Sequence, residues 1–138
     1  MSDIADAADL IATARDALLA ELLPALPKER RYTGLMIANA MAIASREDRL
    51  GFDAARSEAA RLRNLLADVG ASPARAADAV ESELATLRAR IRDAIRDGLF
   101  DAPAHWDALV AALLHTAADR VAISNPKALR EDAAAPAR

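Results

Sequence analysis

The chain has 138 residues, a formal net charge of −3, no cysteine and only four aromatic residues. That length suffices for one ordinary domain with a core of its own, and the missing cysteines exclude thiol chemistry, iron–sulfur clusters and cysteine-ligated zinc. The acidic balance and scarce aromatics argue against a nucleic-acid partner, which would call for a basic surplus and stacking platforms. The start of the chain, MSDIADAADL, carries acids where a secretory leader would carry bases. No apolar run approaches the roughly 20 residues of a membrane span, so a cytoplasmic protein without a membrane partner is expected.

The first helix is expected from Asp3 to about Leu23. Ile4, Ala7, Ile11, Ala14, Leu18 and Leu22 recur at three- and four-residue intervals, and Leu10, Leu19 and Leu23 widen that stripe. Pro24 and Pro27 then end it, because proline has no amide hydrogen and clashes with the preceding turn.

A second helix is expected from Lys28 or Glu29 to Leu50, about 22 residues and roughly 33 Å long. Gly51 reads as its left-handed stop, with Phe52 folded back on the last turn. Its middle, Leu35 to Ala44, holds Asn39 as the only polar side chain, so it reads as a helix apolar on every side and enclosed by the others. Asn39 would then fix the register of a helix pairing. Gly34 marks no helix end, so its missing side chain suggests a close approach by another backbone or a ligand.

The third helix is expected from Asp53, as N-cap, to Val69, with Ala55, Ala59, Leu62, Leu66 and Val69 inward and Gly70 as its stop. Ser72 and Pro73 signal the start of a fourth. That helix carries Ala77, Val80, Leu84, Leu87, Ile91 and Ala94 in the alternating spacing of a nearly parallel packing seam, closed by Gly98. A fifth begins at Ala102 to Ala104, capped by Asp101, and turns Trp106, Leu109, Val110, Leu113, Ala117 and Val121 inward. It stops by Ser124, because Pro126 biases Asn125 away from helical geometry. The whole reads as all-α: an up-and-down bundle of about five helices around a central apolar one, with one domain over 1–126 and a flexible tail over 127–138.

Chemistry-bearing candidates are few. His105 and His115 lie ten residues apart, which is not the spacing of a helical metal pair. His115 and Asp119 share a face but have no nucleophile beside them. Arg88, Arg92 and Arg96, with Arg61 and Arg63, could meet the phosphates of a nucleotide or of coenzyme A. The interspersed Glu81, Glu83, Asp93 and Asp97 instead favour a solvated mixed-charge face. Trp106 reads as core, and as an interface anchor in second place. No metal, cofactor or catalytic constellation follows.

The segments RRYTGLMIANAMAIASRE (Arg30 to Glu47), VAISNPKAL (Val121 to Leu129) and LIATARDALLAELLPALP resemble a family of small helical bacterial proteins. Members are typically encoded beside an aminoglycoside-phosphotransferase-like kinase and an acyl-CoA dehydrogenase. The resemblance implies a non-catalytic companion subunit of a kinase that phosphorylates the hydroxyl of 4-hydroxyacyl-CoA in levulinate-type catabolism. It directs attention to Arg30, Tyr32, Asn39, Arg46, Glu47, Asn125, Pro126 and Lys127 as partner contacts, with Trp106 added from its side-chain chemistry. Asn39 and Pro126 rank as structural first. The alternative is a stand-alone homo-oligomer of helices that binds an acyl-CoA ligand in a pocket lined by Gly34, Tyr32 and the arginine row.

Overall fold

The computed structural model describes residues 6–72 and 79–134. Those residues are all-α, with no strand among them: α1 (Ala7–Ala17), a π-helical turn (Leu18–Leu22), α2 (Leu23–Ala25), α3 (Lys28–Asp68), α4 (Val80–Arg96), α5 (Pro103–Ser124) and α6 (Pro126–Ala134). They sort into two compact units, Met1–Phe52 with Ile123–Arg138, and Asp53–Ala122.

The main departure from the sequence reading is α3. The expected second and third helices form one unbroken helix of 41 residues, roughly 60 Å long. Gly51 is neither a stop nor left-handed: among the described residues, positive φ occurs only at Gly70 and Gly98. Phe52 does not fold back and is 61% exposed, and Asp53 lies inside the helix rather than capping it. A single glycine costs a helix interior only about 1 kcal/mol, less than leaving the carbonyls and amides of two new helix ends unpaired.

In the first unit, Asp6 caps α1 by accepting a 2.8 Å hydrogen bond from the Asp9 amide; the expected start at Asp3 lies outside the described residues. Pro24 does not end the helix. The chain widens into the π turn, in which the Leu23 amide reaches back to the Leu18 carbonyl, and the break comes at Leu26, which is extended. Arg31 donates from Nε to the Leu26 carbonyl and from Nη2 to the Pro24 carbonyl, so a cation serves the last carbonyls of that turn.

The inward face of α3 in this unit is made chiefly of small residues. Gly34, Ala38 and Ser45 are buried and Ala42 is half-buried, at spacings of four, four and three that place them on one side of a helix. Met41, also half-buried, borders them. A Cβ at Gly34 would stand 2.8 Å from Leu23 Cδ1 and 3.1 Å from Leu26 Cδ1. The close approach expected there is therefore made by side chains of this same unit. Ser45 Oγ donates to the Ala8 carbonyl (3.1 Å) and Arg15 Nε to the Ala38 carbonyl (3.1 Å). The segment Leu35 to Ala44 is accordingly not enclosed: Leu35, Met36 and Ile37 are each about half exposed, and Asn39 is exposed. The expected tail also differs, since α6 is helical from Pro126, a residue tolerated at a first helical position.

The second unit holds the large-residue core. Ala59, Leu62, Leu65 and Leu66 from α3, Leu84, Leu87, Ile91 and Ala94 from α4, Phe100, and Leu109 and Ala112 from α5 form one cluster. The expected seam of α4 is correct from Leu84 to Ala94; Ala77 lies outside the described residues, as does a start at Pro73. Both expected glycine stops hold. At Gly70, φ is +72°, the Ala71 amide bonds the Leu66 carbonyl and the Gly70 amide bonds the Ala67 carbonyl. Gly98, at φ +75°, repeats the pattern with Ala94 and Ile95. These paired bonds define the Schellman end of a helix.

α5 is turned differently from expectation. Leu109 and Ala112 face in, whereas Trp106 (53% exposed), Val110 and Leu113 face out together with Leu114. Both faces carry apolar residues at helical spacing, so periodicity alone does not choose between them.

Two stability measurements check this description. Gly51→Ala should raise stability to denaturant by about 0.5–1 kcal/mol, because its new Cβ meets only the movable carboxylate end of Glu47. A loss instead would place Gly51 at a helix end. Leu87, which has no exposed surface, should cost about 2–5 kcal/mol when replaced by alanine.

Candidate functional site

Three features stand out among the described residues, one in the first unit and two in the second. The first is the outward face of α3. Tyr32 (73% exposed), Leu35 and Met36 follow at i, i+3 and i+4, and Ile37 lies beside them. Asn39 continues the same face, and half-buried Ile43 follows it. Neighbours at those spacings form a continuous surface on a helix. The sequence pattern for this is unusual, since small residues take the inside and large ones the outside.

The second feature is the outward face of α5, where Trp106, Val110, Leu113 and exposed Ala117 follow at spacings of four, three and four.

The third is an ionic cluster within the second unit. The Glu58 side chain is only 9% exposed. Arg88 grips it with two parallel bonds, Nε to Oε1 and Nη2 to Oε2, both 2.8 Å, while Arg120 Nη2 lies 3.7 Å from Oε2. A fork of this kind fits both oxygens of a carboxylate. Arg63 donates to buried Glu83 at 2.8 Å. Arg61 donates to Asp119 (2.7 Å) and to Thr116 (3.3 Å), and its buried Nε has no partner. The hydrogen bond to Glu58, with the carboxylate charge behind it, raises the Arg88 pKa above the ordinary arginine value against the opposing effect of burial. Stability from a raised arginine pKa is fully present below that ordinary value, so it is constant across physiological pH.

Arg30 and Lys127 are exposed, and Asn125 is exposed between α5 and α6, its carbonyl accepting from the Ala128 amide. Pro126 begins α6. Arg46 is half-buried and donates from Nε to the Ile123 carbonyl, one of the last carbonyls of α5, where a cation is favourable. Glu47 is exposed, with its carboxylate lying over Gly51. Trp106 is an outward residue of α5. Of these, Tyr32 and Asn39 lie on the outward face of α3, and exposed Glu47 follows Ile43 along it at i+4. Asp119 bonds Arg61 rather than forming a dyad with His115, and Arg61, Arg63 and Arg88 all answer acids of their own unit. No group of three potential metal ligands occurs among the described residues, and no helix among them is long and apolar enough to cross a membrane. Sequence reasoning missed Glu58 and Ser45; their signal was a polar residue in register with inward neighbours, Glu58 beside Ala59 and Ser45 after Ala38.

These features define an all-α protein whose prominent elements are surfaces and an internal charge cluster. Residues 24–128 match the model of a family described as DUF6285, a domain of unknown function, and the chain belongs to that family. No curated protein and no solved structure matches it.

The ionic cluster makes its own prediction. Arg88→Ala leaves a buried carboxylate without its fork and should cost about 2–3 kcal/mol, whereas Arg120→Ala, whose side chain is 65% exposed, should change stability by less than about 1 kcal/mol. Equal effects in urea titrations would mean that Arg88 is not the principal partner of Glu58.

Proposed function

We propose that this chain is a non-catalytic accessory subunit that binds a phosphotransferase-fold kinase acting on hydroxyacyl-CoA, and stabilises or completes it. The kinase identity rests on the resemblance of Arg30 to Glu47 and Val121 to Leu129 described above. The observation that carries an interaction role is the outward face of α3, where Tyr32, Leu35 and Met36 stand half or more exposed. Large apolar side chains grouped on one exposed helix face mark interaction sites more often than scattered ones do, and tyrosine suits the role because it adds a polar handle. Helices present such i, i+3, i+4 anchors to grooves in their partners.

The acyl-CoA reading has less behind it. Gly34 is covered by Leu23 and Leu26, and Arg61, Arg63 and Arg88 are engaged by acids, which leaves the pocket expected for that ligand without most of its members.

Co-expression with the adjacent kinase, affinity purification of either protein and an assay of 4-hydroxyacyl-CoA phosphorylation test the proposal. The two should co-purify and activity should require both. Met36→Asp should weaken the association at least about tenfold, while the melting temperature of the isolated chain stays unchanged because the side chain is exposed. A kinase that is fully active alone, with this chain eluting separately, would overturn the accessory role.

A further inference from the structure

We propose that α1 is a strap that lifts from α3 and closes again while α3, α4 and α5 stay folded, turning at the π-helical joint Leu18–Leu22. From Ala7 to Leu22 the only buried residue is Ala8. Ile11, Leu18 and Leu19 are half-buried and Leu10 is 60% exposed, so lifting α1 exposes no large side chain that was fully covered. α4 by contrast buries Leu84, Leu87 and Ile91 in the core cluster of the second unit. Few buried apolar contacts are the mark of a segment that opens below the free energy of global unfolding.

Polar ties close the strap. Ser45 Oγ donates to the Ala8 carbonyl, Arg15 Nε to the Ala38 carbonyl and Arg49 Nη2 to Asp9 Oδ1. Each of these groups exchanges its bond for one to water once α1 lifts, so each tie contributes modestly. The Arg49–Asp9 pair is more than half exposed on both sides, which screens it further. Beyond the joint the chain is fastened differently. Leu23 and Leu26 cover Gly34, and Arg31 holds the Pro24 and Leu26 carbonyls. At the joint itself the Leu23 amide reaches back to the Leu18 carbonyl, and Pro24 has no amide to give the turn before it. The helical ladder is therefore weakest between the part that is fastened and the part that is not.

The two helices fare differently when they part. α1 has 11 residues, fewer than the roughly 12–15 at which an isolated helix holds in water, so it melts on release. α3 needs no new nucleus, because its ladder continues into the core of the second unit. Opening uncovers Ala38 and Ser45 on the side that α1 occupied, so α3 then offers a small-residue face as well as its large-residue one. This device does not depend on the kinase assignment.

Amide hydrogen exchange of the full chain under native conditions tests the strap. Amides from Leu10 to Ala17 should share one level of protection and exchange at least about a hundredfold faster than those from Leu84 to Ala94. Ser45→Ala should speed exchange throughout α1 about three- to tenfold, the effect of one lost hydrogen bond, and leave α4 unchanged. Ala8→Leu places a larger side chain where no surface is exposed; it should abolish protection in α1 while α4 stays protected. Exchange in α1 as slow as in α4 would overturn the proposal. So would protection that rises steadily from Leu10 to Ala17, which is fraying from one end, or a loss of α4 protection in Ala8→Leu, which would join α1 to the global unfolding.

Discussion

The uninterrupted hydrogen-bond ladder of α3 is the constraint on which the remaining structure depends. The same 41 residues supply Gly34, Ala38 and Ser45 to the first unit and Leu62, Leu65 and Leu66 to the second. Had Gly51 ended the helix, a residue's facing would depend on where a new helix began. Because the ladder runs through Gly51, the facing within each unit follows from a residue's place along the helix, 3.6 residues to the turn. The outward position of Tyr32 and Met36 is thus determined by the same backbone that turns Ala38 and Ser45 inward.

The two units are held by different physics. The second buries large side chains, each contributing roughly 1.5–3 kcal/mol on leaving water, and adds carboxylates neutralised by guanidinium groups. In the first, Ile123 is the only large apolar side chain that is buried among the described residues. What holds that unit is close approach over small residues together with polar bonds to backbone: Ser45 to Ala8, Arg15 to Ala38, Arg46 to Ile123. A small inner face recovers little area from water but allows backbones near enough for such bonds. Its consequence is that the larger residues of α3 are left on the outside or at the border of the packing.

Much of this was legible in the sequence, and the misses have physical causes. The α4 seam was readable because Leu84, Leu87 and Ile91 recur on one stripe and the opposite face is charged. Gly70 and Gly98 were readable as stops, yet Gly51 carries the same local mark. What separates them lies downstream: Pro73 follows Gly70 and Pro103 follows Gly98 within a few residues, while no proline occurs from Phe52 to Ser72. Hydropathy failed on α3 and α5 for one shared reason. It assigns the inside to the larger apolar residues, whereas here the inside of α3 in the first unit takes glycine, alanine and serine. On α5, Leu109 and Ala112 join the core cluster and Arg61 donates to Thr116 and Asp119, while the larger Trp106, with Leu113, lies on the other face.

The placement of charge bears on what kind of protein this is. An acid or base that does chemistry must have an oxygen or nitrogen left over for the reacting group. Glu58, the strongest interior candidate, has both oxygens engaged by Arg88, with Arg120 nearby, and Glu83 is held by Arg63. Replacing such an acid would loosen helix packing before it altered any reaction. Within the second unit Glu58 and Glu83 thus tie α3 to α4 through Arg88 and Arg63, and large apolar side chains of α3 and α5 lie on the faces that the packing turned outward. On α3 those residues lie in the resemblance segment itself, Arg30 to Glu47. The part of the chain on which the companion-subunit reading rests is thus also where its large side chains have no cover within their own unit.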